Sequence, residues 1–432
     1  MLRRRRGAVD TRLSNHVLLR MPRRLAEWRP GNYLRNSGWL MVWLIVRAAS
    51  QAAMVVLLAR SLGAQVYGEF IAALAVASFF TPLAGMGLQA LILRDGSADL
   101  DALPQIIARA LTIWRIGWLG ASLLSTLVAW VVLPHPVPFP ILLLLCAGEV
   151  GAASVVEIIG RSEQARQHPQ RFGQLLAGLA LARLAGLGGL LALDLLSLRA
   201  WMIVYAASSA VYAAVAVVSV ARFRGIAASA EVPYRKLLKQ GLPFVGGAVA
   251  HRIQAELNKP ILAHLGYSLA GNFNVAQRAV DIASLPLLAL QEALWPRVFA
   301  STDPRRRLIT SGVPIMATAL LGGALLSWLS PLLPRLLGTG FGSTSSLLAL
   351  LAWLPAVQVL RGLSSALLMA DRRYDILLRV YILGAAVTIV LNLTLILAFS
   401  LRGAVVSVYV GELVIIGFQA LLAWMPRIAR HR

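Results

Sequence analysis

The sequence LGAQVYGEF, from Leu62 to Phe70, returns far down the chain as LGYSLAGNF, from Leu265 to Phe273. Both fit the pattern L-G-x-x-x-x-G-x-F, and they lie 203 positions apart. The same offset relates the stretch ALILR, which ends at Arg94, to the stretch ALWPR, which ends at Arg297. A chain that repeats itself at nearly half its own length is predicted to contain two copies of one structural unit.

The composition is that of a membrane protein. Of the 432 residues, 58% are hydrophobic and only 14% are charged, whereas a soluble domain carries about 25% charged residues. The single cysteine, Cys146, excludes an intrachain disulfide. The net charge of +23 could indicate a nucleic-acid partner. We expect no such partner, because the arginines stand in short loops between apolar segments, where they set the membrane orientation.

Twelve apolar runs are each long enough to cross about 30 Å of hydrocarbon as a helix. The predicted fold is therefore an all-α integral membrane protein with twelve transmembrane helices. The predicted spans are residues 37–60, 66–93, 104–133, 138–160, 173–194, 199–221, 240–264, 268–296, 308–333, 342–370, 375–399 and 402–426.

The positions of the basic residues predict the orientation of these spans. With the N-terminus in the cytoplasm, 29 Lys and Arg residues fall on the cytoplasmic side and four on the outer side. The excess lies on the cytoplasmic side, as the positive-inside rule requires. We therefore predict that both termini are cytoplasmic and that the basic N-terminal tail is attracted to anionic membrane lipids.

Six spans in each copy give both copies the same orientation, so the two bundles are predicted to be related by a pseudo-twofold axis along the membrane normal. Such bundles enclose a central cavity, and rocking them would expose it alternately to each side. Gly63 and Gly68 are expected to permit a tight outer turn. The predicted organisation is an N-terminal tail at 1–36, a first bundle at 37–222, a linker at 223–239, a second bundle at 240–426 and a C-terminal tail at 427–432.

Polar and charged residues deep within the predicted spans are the candidate functional residues. An ionised side chain at mid-bilayer costs about 2.5–3.5 kcal/mol on insertion scales, so such groups usually face a cavity or a partner. The candidate substrate-binding residues are Arg47, Gln51, Arg183, Arg252, Lys259, Asn274 and Arg278. The candidate ion-coupling residues are Glu149, Glu256, Asp281 and Glu412.

The same charges have a second interpretation, in which they only neutralise one another along a helix. Arg278 with Asp281, and Arg252 with Glu256, have the spacing of such pairs. Arg361 lies nearer a predicted cytoplasmic end, from which its side chain is expected to reach the interface.

The first copy of the repeat helps to weigh the two interpretations. Its matching positions lack the charges, so the shared fold does not require them. Ile71, Ala75 and Ser78 stand where the second copy has Asn274, Arg278 and Asp281.

The motifs that an enzyme of this size would need are missing from the sequence. There is no G-x-x-x-x-G-K-[ST] loop for nucleotide hydrolysis, and no His or Cys spacing typical of a metal site. A polymerase or ligase of glycan assembly would need a sizeable outer loop, and none is present. The sequence therefore predicts a transporter that is not an enzyme and binds no cofactor.

The first hairpin, LLARSLGAQVYGEFIAALAVASFFTPLAGMGLQALILR, resembles that of the Wzx-like O-antigen and polysaccharide flippases. These belong to the multidrug/oligosaccharidyl-lipid/polysaccharide (MOP) exporter superfamily, which includes the MATE transporters. In that family the first helix ends in an L-A-R-x-L-G phrase and is followed by Y-G-x-F. The matching residues are Leu58, Ala59, Arg60, Leu62, Gly63, Tyr67, Gly68 and Phe70.

The resemblance implies a flippase that moves a polyprenyl-pyrophosphate-linked oligosaccharide across the bacterial inner membrane for O-antigen or other polysaccharide biosynthesis. It implies coupling to a proton or sodium gradient and, as possible partners, a glycan polymerase and glycosyltransferases. The deep arginines would bind the anionic pyrophosphate. The alternative is a cation-coupled multidrug or small-molecule antiporter of the same fold. A cavity for organic cations should be acidic and aromatic, whereas this predicted interior is basic.

Overall fold

The computed structural model describes residues 32–134, 137–224, 234–299, 303–338, 340–370 and 373–424. Within these residues the chain forms helices joined by short turns and contains no β-strand. The all-α prediction is confirmed. Most of the predicted N-terminal tail, most of the linker and the whole C-terminal tail lie outside the described residues, so the domain boundaries stay predictions.

The described residues form sixteen α-helices, with a single π-helical turn at Asn392–Ile396. They are α1 (Asn32–Gly85), α2 (Leu88–Ala98), α3 (Leu103–Val132), α4 (Phe139–Ala165), α5 (Pro169–Ala192), α6 (Leu198–Arg224), α7 (Tyr234–Glu256), α8 (Asn258–Leu265), α9 (Tyr267–Ala283), α10 (Leu285–Phe299), α11 (Pro304–Leu329), α12 (Leu332–Leu337), α13 (Ser343–Leu351), α14 (Leu354–Ala370), α15 (Tyr374–Leu391) and α16 (Leu397–Trp424).

Eight stretches of the described residues are long and apolar enough to cross a membrane. Two of them, Gly38–Ala98 and Arg379–Leu422, have 61 and 44 residues and are long enough for two passes each. Ten of the twelve predicted spans lie in these eight stretches. The remaining two are the helix pairs α7–α8 and α9–α10, which carry the deep charges, and their passage through the membrane stays a prediction.

The first glycine of each repeated phrase interrupts a helix. Gly63 has φ 76° inside α1, and Gly266 has φ 149° between α8 and α9. Glycine adopts such positive φ values without the steric cost that a Cβ brings, so the prediction for Gly63 is confirmed. The prediction that Gly68 belongs to the turn is wrong, because Gly68 lies within the helical part of α1 that follows Gly63.

Gly68 is needed for a close contact between the two copies of the repeat. A Cβ on Gly68 would overlap the carbonyl of Tyr267, and a Cβ on Gly271 would lie 2.6 Å from the carbonyl oxygen of Ala64. Gly68 and Gly271 are 203 positions apart, as are Ala64 and Tyr267. Each copy thus makes the same contact with the other, which is the reciprocity of a twofold interface. This contact agrees with the predicted pseudo-twofold relation between the two copies.

Aromatic side chains fix the second span within the first half. Trp201 and Tyr205 of α6 pack edge-on against Phe70, with ring centroids 5.7 and 5.5 Å away. All three side chains are almost completely buried. Edge-to-face aromatic pairs stabilise such packing by about 0.5–1.5 kcal/mol beyond the buried area. The packing also holds the Tyr205 hydroxyl beside Glu149 of α4.

Candidate functional site

The deep arginines of the two halves come together in one cluster. Arg47, on the first span, interacts electrostatically with Arg252 of α7, Arg278 of α9 and Arg183 of α5. Two of these partners belong to the second half and one to the first. The structure therefore joins four of the seven predicted substrate-binding residues into a positively charged region between the halves.

In the first half, Arg183 and Glu149 form a buried ion pair, with Nη2 and Oε2 2.7 Å apart. Nε of Arg183 donates to Ser209 Oγ at 2.8 Å, and its guanidinium lies 4.2 Å from the ring centroid of Tyr205. The Tyr205 hydroxyl also donates to Glu149 Oε2 at 2.7 Å. These partners already occupy the guanidinium of Arg183. In this structure Arg183 therefore serves to hold Glu149 in place.

The sequence interpretation missed Tyr205 and Ser209. Both lie on α6, four residues apart and therefore on one face of the helix. That spacing, a tyrosine followed by a serine one turn later, was a signal that they share a neighbour. It did not show that the neighbour is the Arg183–Glu149 pair, because this depends on how α6 packs against α4 and α5.

In the second half, a break in the seventh span carries a second charged group. Proline cannot donate to the carbonyl four residues earlier, and Pro260 stands four residues after Glu256, where α7 ends. The Ala255 carbonyl beside the break accepts from Gln277 Nε2 at 3.1 Å. Lys259, at the start of α8, is fully buried and donates to Glu256 Oε2.

Arg278 lies between two carboxylates and is tightly bound to neither. Its guanidinium nitrogens are 3.6 Å from Glu256 Oε1 and 3.6 Å from Asp281 Oδ2. The predicted pairing of Arg278 with Asp281 is therefore present. The alternative pairing of Arg252 with Glu256 is replaced by Lys259 and Arg278, and Arg252 acts on Glu256 only at longer range.

The predicted amide residues occupy different places. Asn274 is 1% exposed, and its Nδ2 donates to the Tyr67 hydroxyl at 2.6 Å. This hydrogen bond joins the two copies of the repeat beside the Gly68–Gly271 contact. Gln51 is half-buried on the face of the first span that carries Arg47. In this structure Gln51 can reach a ligand in the cluster more readily than Asn274 can.

Glu412 lies apart from the central cluster. Its carboxylate pairs with the Arg361 guanidinium of α14, with Nη1 and Oε2 3.0 Å apart. Arg361 was expected to extend towards the interface, and this expectation is wrong because the side chain turns inward to Glu412. His251 lies within electrostatic reach of both Arg361 and Arg252.

The balance of charges singles out two arginines. Each predicted ion-coupling carboxylate has a basic partner within 4 Å: Glu149–Arg183, Glu256–Lys259, Asp281–Arg278 and Glu412–Arg361. Among the described residues, Arg47 and Arg252 have no carboxylate within that distance. They belong to opposite halves and repel each other. An anion placed between them would relieve this repulsion.

The cluster is also accessible. Arg252 is exposed and Arg47 is half-buried, and the side chains of Arg278 and Asp281 are 38% and 47% exposed. Arg47, Arg278 and Asp281 are nevertheless surrounded by protein atoms on most sides. These side chains are thus enclosed by protein and yet partly accessible, as side chains that line an internal space would be. Within the described residues, no group of three or more His, Cys, Asp or Glu side chains could hold a metal ion.

Comparison with known proteins identifies the family. Residues 33–302 match the model of a family described as polysaccharide biosynthesis protein. Comparison with curated protein sequences finds no significant match.

Solved structures show the fold. One similar structure is the lipid II flippase MurJ in an inward closed conformation, with a TM-score of 0.68, 12% identity, and coverage of 88% of this chain and 87% of that chain. A second is an inward-facing multidrug resistance MATE family transporter of the MOP superfamily, with a TM-score of 0.69, 12% identity, and coverage of 89% and 93%. A third is the MATE multidrug transporter DinF-BH in complex with R6G, with a TM-score of 0.61, 15% identity, and coverage of 92% and 96%.

These findings confirm the predicted MATE-like fold and the resemblance to the MOP superfamily that the hairpin residues indicated. The matched family segment covers the whole first half, the linker and the charged helices α7 to α9, and so includes every residue of the central cluster. The chain belongs to the polysaccharide biosynthesis protein family, and it has the fold of the MOP superfamily transporters.

Proposed function

We propose that the chain is a flippase that moves a polyprenyl-pyrophosphate-linked oligosaccharide across the bacterial inner membrane by alternating access. The observation that carries this proposal is the pair of arginines without a carboxylate partner, Arg47 and Arg252. They belong to opposite halves, lie within electrostatic reach of each other and are at least partly accessible. A pyrophosphate carries at least two negative charges and matches two surplus guanidinium groups, each of which can bind phosphate oxygens in bidentate fashion.

Arg278 is the third group that we assign to the pyrophosphate. Its distances of 3.6 Å to two carboxylates exceed those of good charge-assisted hydrogen bonds, about 2.7–2.9 Å. The guanidinium can therefore turn to a phosphate without losing a tight partner. Gln51 adds a neutral donor for a sugar or phosphate oxygen. Arg183, Lys259 and Asn274 would act on the substrate only if their present bonds open.

We assign coupling to a proton or sodium gradient to the paired carboxylates Glu149, Glu256, Asp281 and Glu412. Glu149 and Glu412 each pair with one cation, Asp281 pairs with Arg278, and Glu256 contacts both Lys259 and Arg278. Gain of a proton or metal cation by one of these carboxylates would weaken its hold on the basic partner. Asp281 is the most accessible of the four and is the first candidate. The glycan polymerase and glycosyltransferases that supply and use such a substrate are the expected partners.

The alternative is a multidrug antiporter, because two of the similar structures are MATE multidrug transporters. An organic cation would need acidic groups left over after pairing, and the described interior has basic groups left over instead. The charge balance therefore favours an anionic substrate.

The proposal is tested by alanine at Arg47 and at Arg252, with surface polysaccharide as the readout. A hydrogen bond to a charged group contributes about 1.5–3 kcal/mol, so we expect each change to lower export by at least about tenfold at equal protein level. Lysine at either position should restore only part of the lost export, because an ammonium group cannot form the bidentate contact. Arg199→Ala is the matched control, because Arg199 is exposed at the predicted outer end of α6. Normal export by both alanine variants would exclude the proposed site.

Binding by purified protein separates the two functions. Geranylgeranyl diphosphate should raise the thermal midpoint, geranylgeraniol should not, and Arg47→Ala with Arg252→Ala should abolish the difference. Stabilisation by R6G but not by the diphosphate would favour the antiporter.

A further inference from the structure

The second span touches the second half of the chain at both of its ends. At the predicted outer end, Gly68 contacts the backbone at Tyr267 and Gly271 of α9. At the other end, Gly87 contacts the backbone at Gly241 of α7. Gly87 lies nineteen positions after Gly68, a separation that corresponds to about 28 Å of helix, close to the thickness of the hydrocarbon core. A glycine pair therefore stands near each predicted face of the membrane.

The contact at Gly241 is made by backbone atoms. A Cβ on Gly241 would overlap the carbonyl oxygen of Met86, and a Cβ on Gly87 would overlap the carbonyl oxygen of Gly241. Leu238, one turn earlier on α7, packs with Met86 against the same hydrophobic cluster. Neither glycine can carry a side chain while these backbones stay in contact.

The second span is also broken at this contact. Met86 and Gly87 have φ 47° and 72°, both left-handed, and they separate α1 from α2. A left-handed methionine is uncommon and persists only where its surroundings fix it. The backbone of Gly241 supplies such surroundings. Loss of the contact would therefore free two residues that can return to helical geometry.

The two ends differ in the bonds that hold them. At the outer end, Ser268 N donates to Gln65 Oε1 at 3.1 Å, Asn274 donates to Tyr67, and the Tyr267 hydroxyl donates to the Pro134 carbonyl. At the Gly87–Gly241 end, the described residues show no hydrogen bond between α7 and either α1 or α2. Among the described residues, the outer contact is therefore held by hydrogen bonds as well as packing, and the one at Gly241 by packing alone.

We propose that the Gly87–Gly241 contact is a closure at the predicted cytoplasmic end of the cavity, hinged at Met86–Gly87, which opens while the outer contact stays shut. Its use for loading substrate rests on the proposed function. Its opening and closing do not, because they can be measured without substrate.

The test measures access to a reporter cysteine in the cavity. Cys146 is replaced by alanine, Gln51→Cys is the reporter, and the membrane-impermeant reagent 2-sulfonatoethyl methanethiosulfonate is added to inside-out or right-side-out vesicles. Gly241→Leu should hold the contact apart and raise the labelling rate at least about tenfold from the cytoplasmic face only. Gly246→Leu is the control, since Gly246 is on the same helix with nothing within 4 Å of an added Cβ, and it should not change the rate.

A second variant keeps the proposal open to refutation if Gly241→Leu does not fold. Met86→Gly removes the cost of left-handed geometry at the hinge, which should favour closure and slow cytoplasmic labelling at least about fivefold. Unchanged labelling in a folded Gly241→Leu, equal acceleration from both faces, or unchanged or faster labelling in Met86→Gly would each overturn the closure. Normal glycan export by the arginine variants would leave these outcomes untouched, so the two proposals fail separately.

Discussion

The two copies of the repeated hairpin keep the same glycines and differ in their charges. Gly68 and Gly271 occupy equivalent places in a contact that each copy makes with the other. At equivalent positions further along each helix, Ala75 is buried in the apolar interior of the first half, whereas Arg278 is partly exposed beside two carboxylates. The shared residues therefore maintain the contact between the copies, and the charged residues serve one copy alone.

This difference shows how two copies of one unit can bring different charged residues to the same cluster. The first half contributes Arg47 and the buried Arg183–Glu149 pair, whereas the second contributes the accessible Arg252 and Arg278. The surplus positive charge is shared between the halves, although the residues that carry it are not related by the repeat. Arg47 and Arg252 match Ala250 and Ala49 at the 203-residue offset.

The largest effect is expected from valine at the shared glycines. Gly68→Val and Gly271→Val each place methyl groups on a facing backbone that has no room for them. Overpacking costs about 1–3 kcal/mol where neighbouring side chains can shift. Here the facing atoms are backbone, which cannot move aside without separating the two copies, so we expect a cost above that range and above that of losing one buried ion pair. We expect both variants to lose most of their folded protein, to a similar extent, as measured by size-exclusion chromatography of a fluorescent fusion.

The matched control is Gly120→Val on α3, where nothing lies within 4 Å of an added Cβ. It should keep the parent's elution profile. If one shared glycine tolerates valine and the other does not, the contact is not reciprocal and the comparison between the copies fails.

The next effect concerns a charge pair that only the second copy has. Lys259 and Glu256 match Val56 and Ala53 of the first copy. Lys259→Val leaves a buried carboxylate with fewer partners, and breaking a buried pair in this way costs about 3–5 kcal/mol. The double change to Val and Ala removes both charges and should cost less. The measurement is the thermal midpoint of each purified variant in detergent. A double variant with a lower midpoint than Lys259→Val would contradict the prediction.

The sequence predicted the duplicated hairpins well because glycine spacing and hydrophobic length are local properties. The L-G phrase predicted a backbone break, and both Gly63 and Gly266 have positive φ values. It did not predict that the second glycine of each phrase packs against the other copy. Such a contact depends on which faces of distant helices meet, and spacing along one helix does not determine this.

The charged residues show the same limit. Their depth in apolar runs indicated that they lie in the interior, and the structure brings Arg47, Arg252 and Arg278 together. Helical spacing suggested Arg252 as the partner of Glu256, whereas the structure pairs Glu256 with Lys259, three residues further on. Arg361 and Glu412 are 51 positions apart, so only the packing of α14 against α16 could reveal their pair.

A smaller effect is expected at Tyr205, which the sequence interpretation missed. Tyr205→Phe keeps the ring beneath Arg183 but removes the hydroxyl that donates to Glu149. A hydrogen bond to a charged group contributes about 1.5–3 kcal/mol, so the thermal midpoint should fall by less than in Lys259→Val. If Glu149 takes part in coupling, polysaccharide export should fall further than protein level does. An export rate that follows protein level alone would reduce Tyr205 to a packing residue.

The smallest effect is expected at the outer contact between the two copies. Tyr67→Phe keeps the packing of the ring but removes the hydroxyl that accepts from Asn274 across the two copies. A neutral hydrogen bond contributes about 0.5–1.5 kcal/mol, so labelling of the Gln51→Cys reporter from the outer face should accelerate by roughly two- to tenfold. Tyr212→Phe is the control, because the Tyr212 hydroxyl donates to the Leu175 carbonyl within the first half. Equal acceleration in both variants would mean that the hydrogen bond between Asn274 and Tyr67 adds nothing to the outer contact.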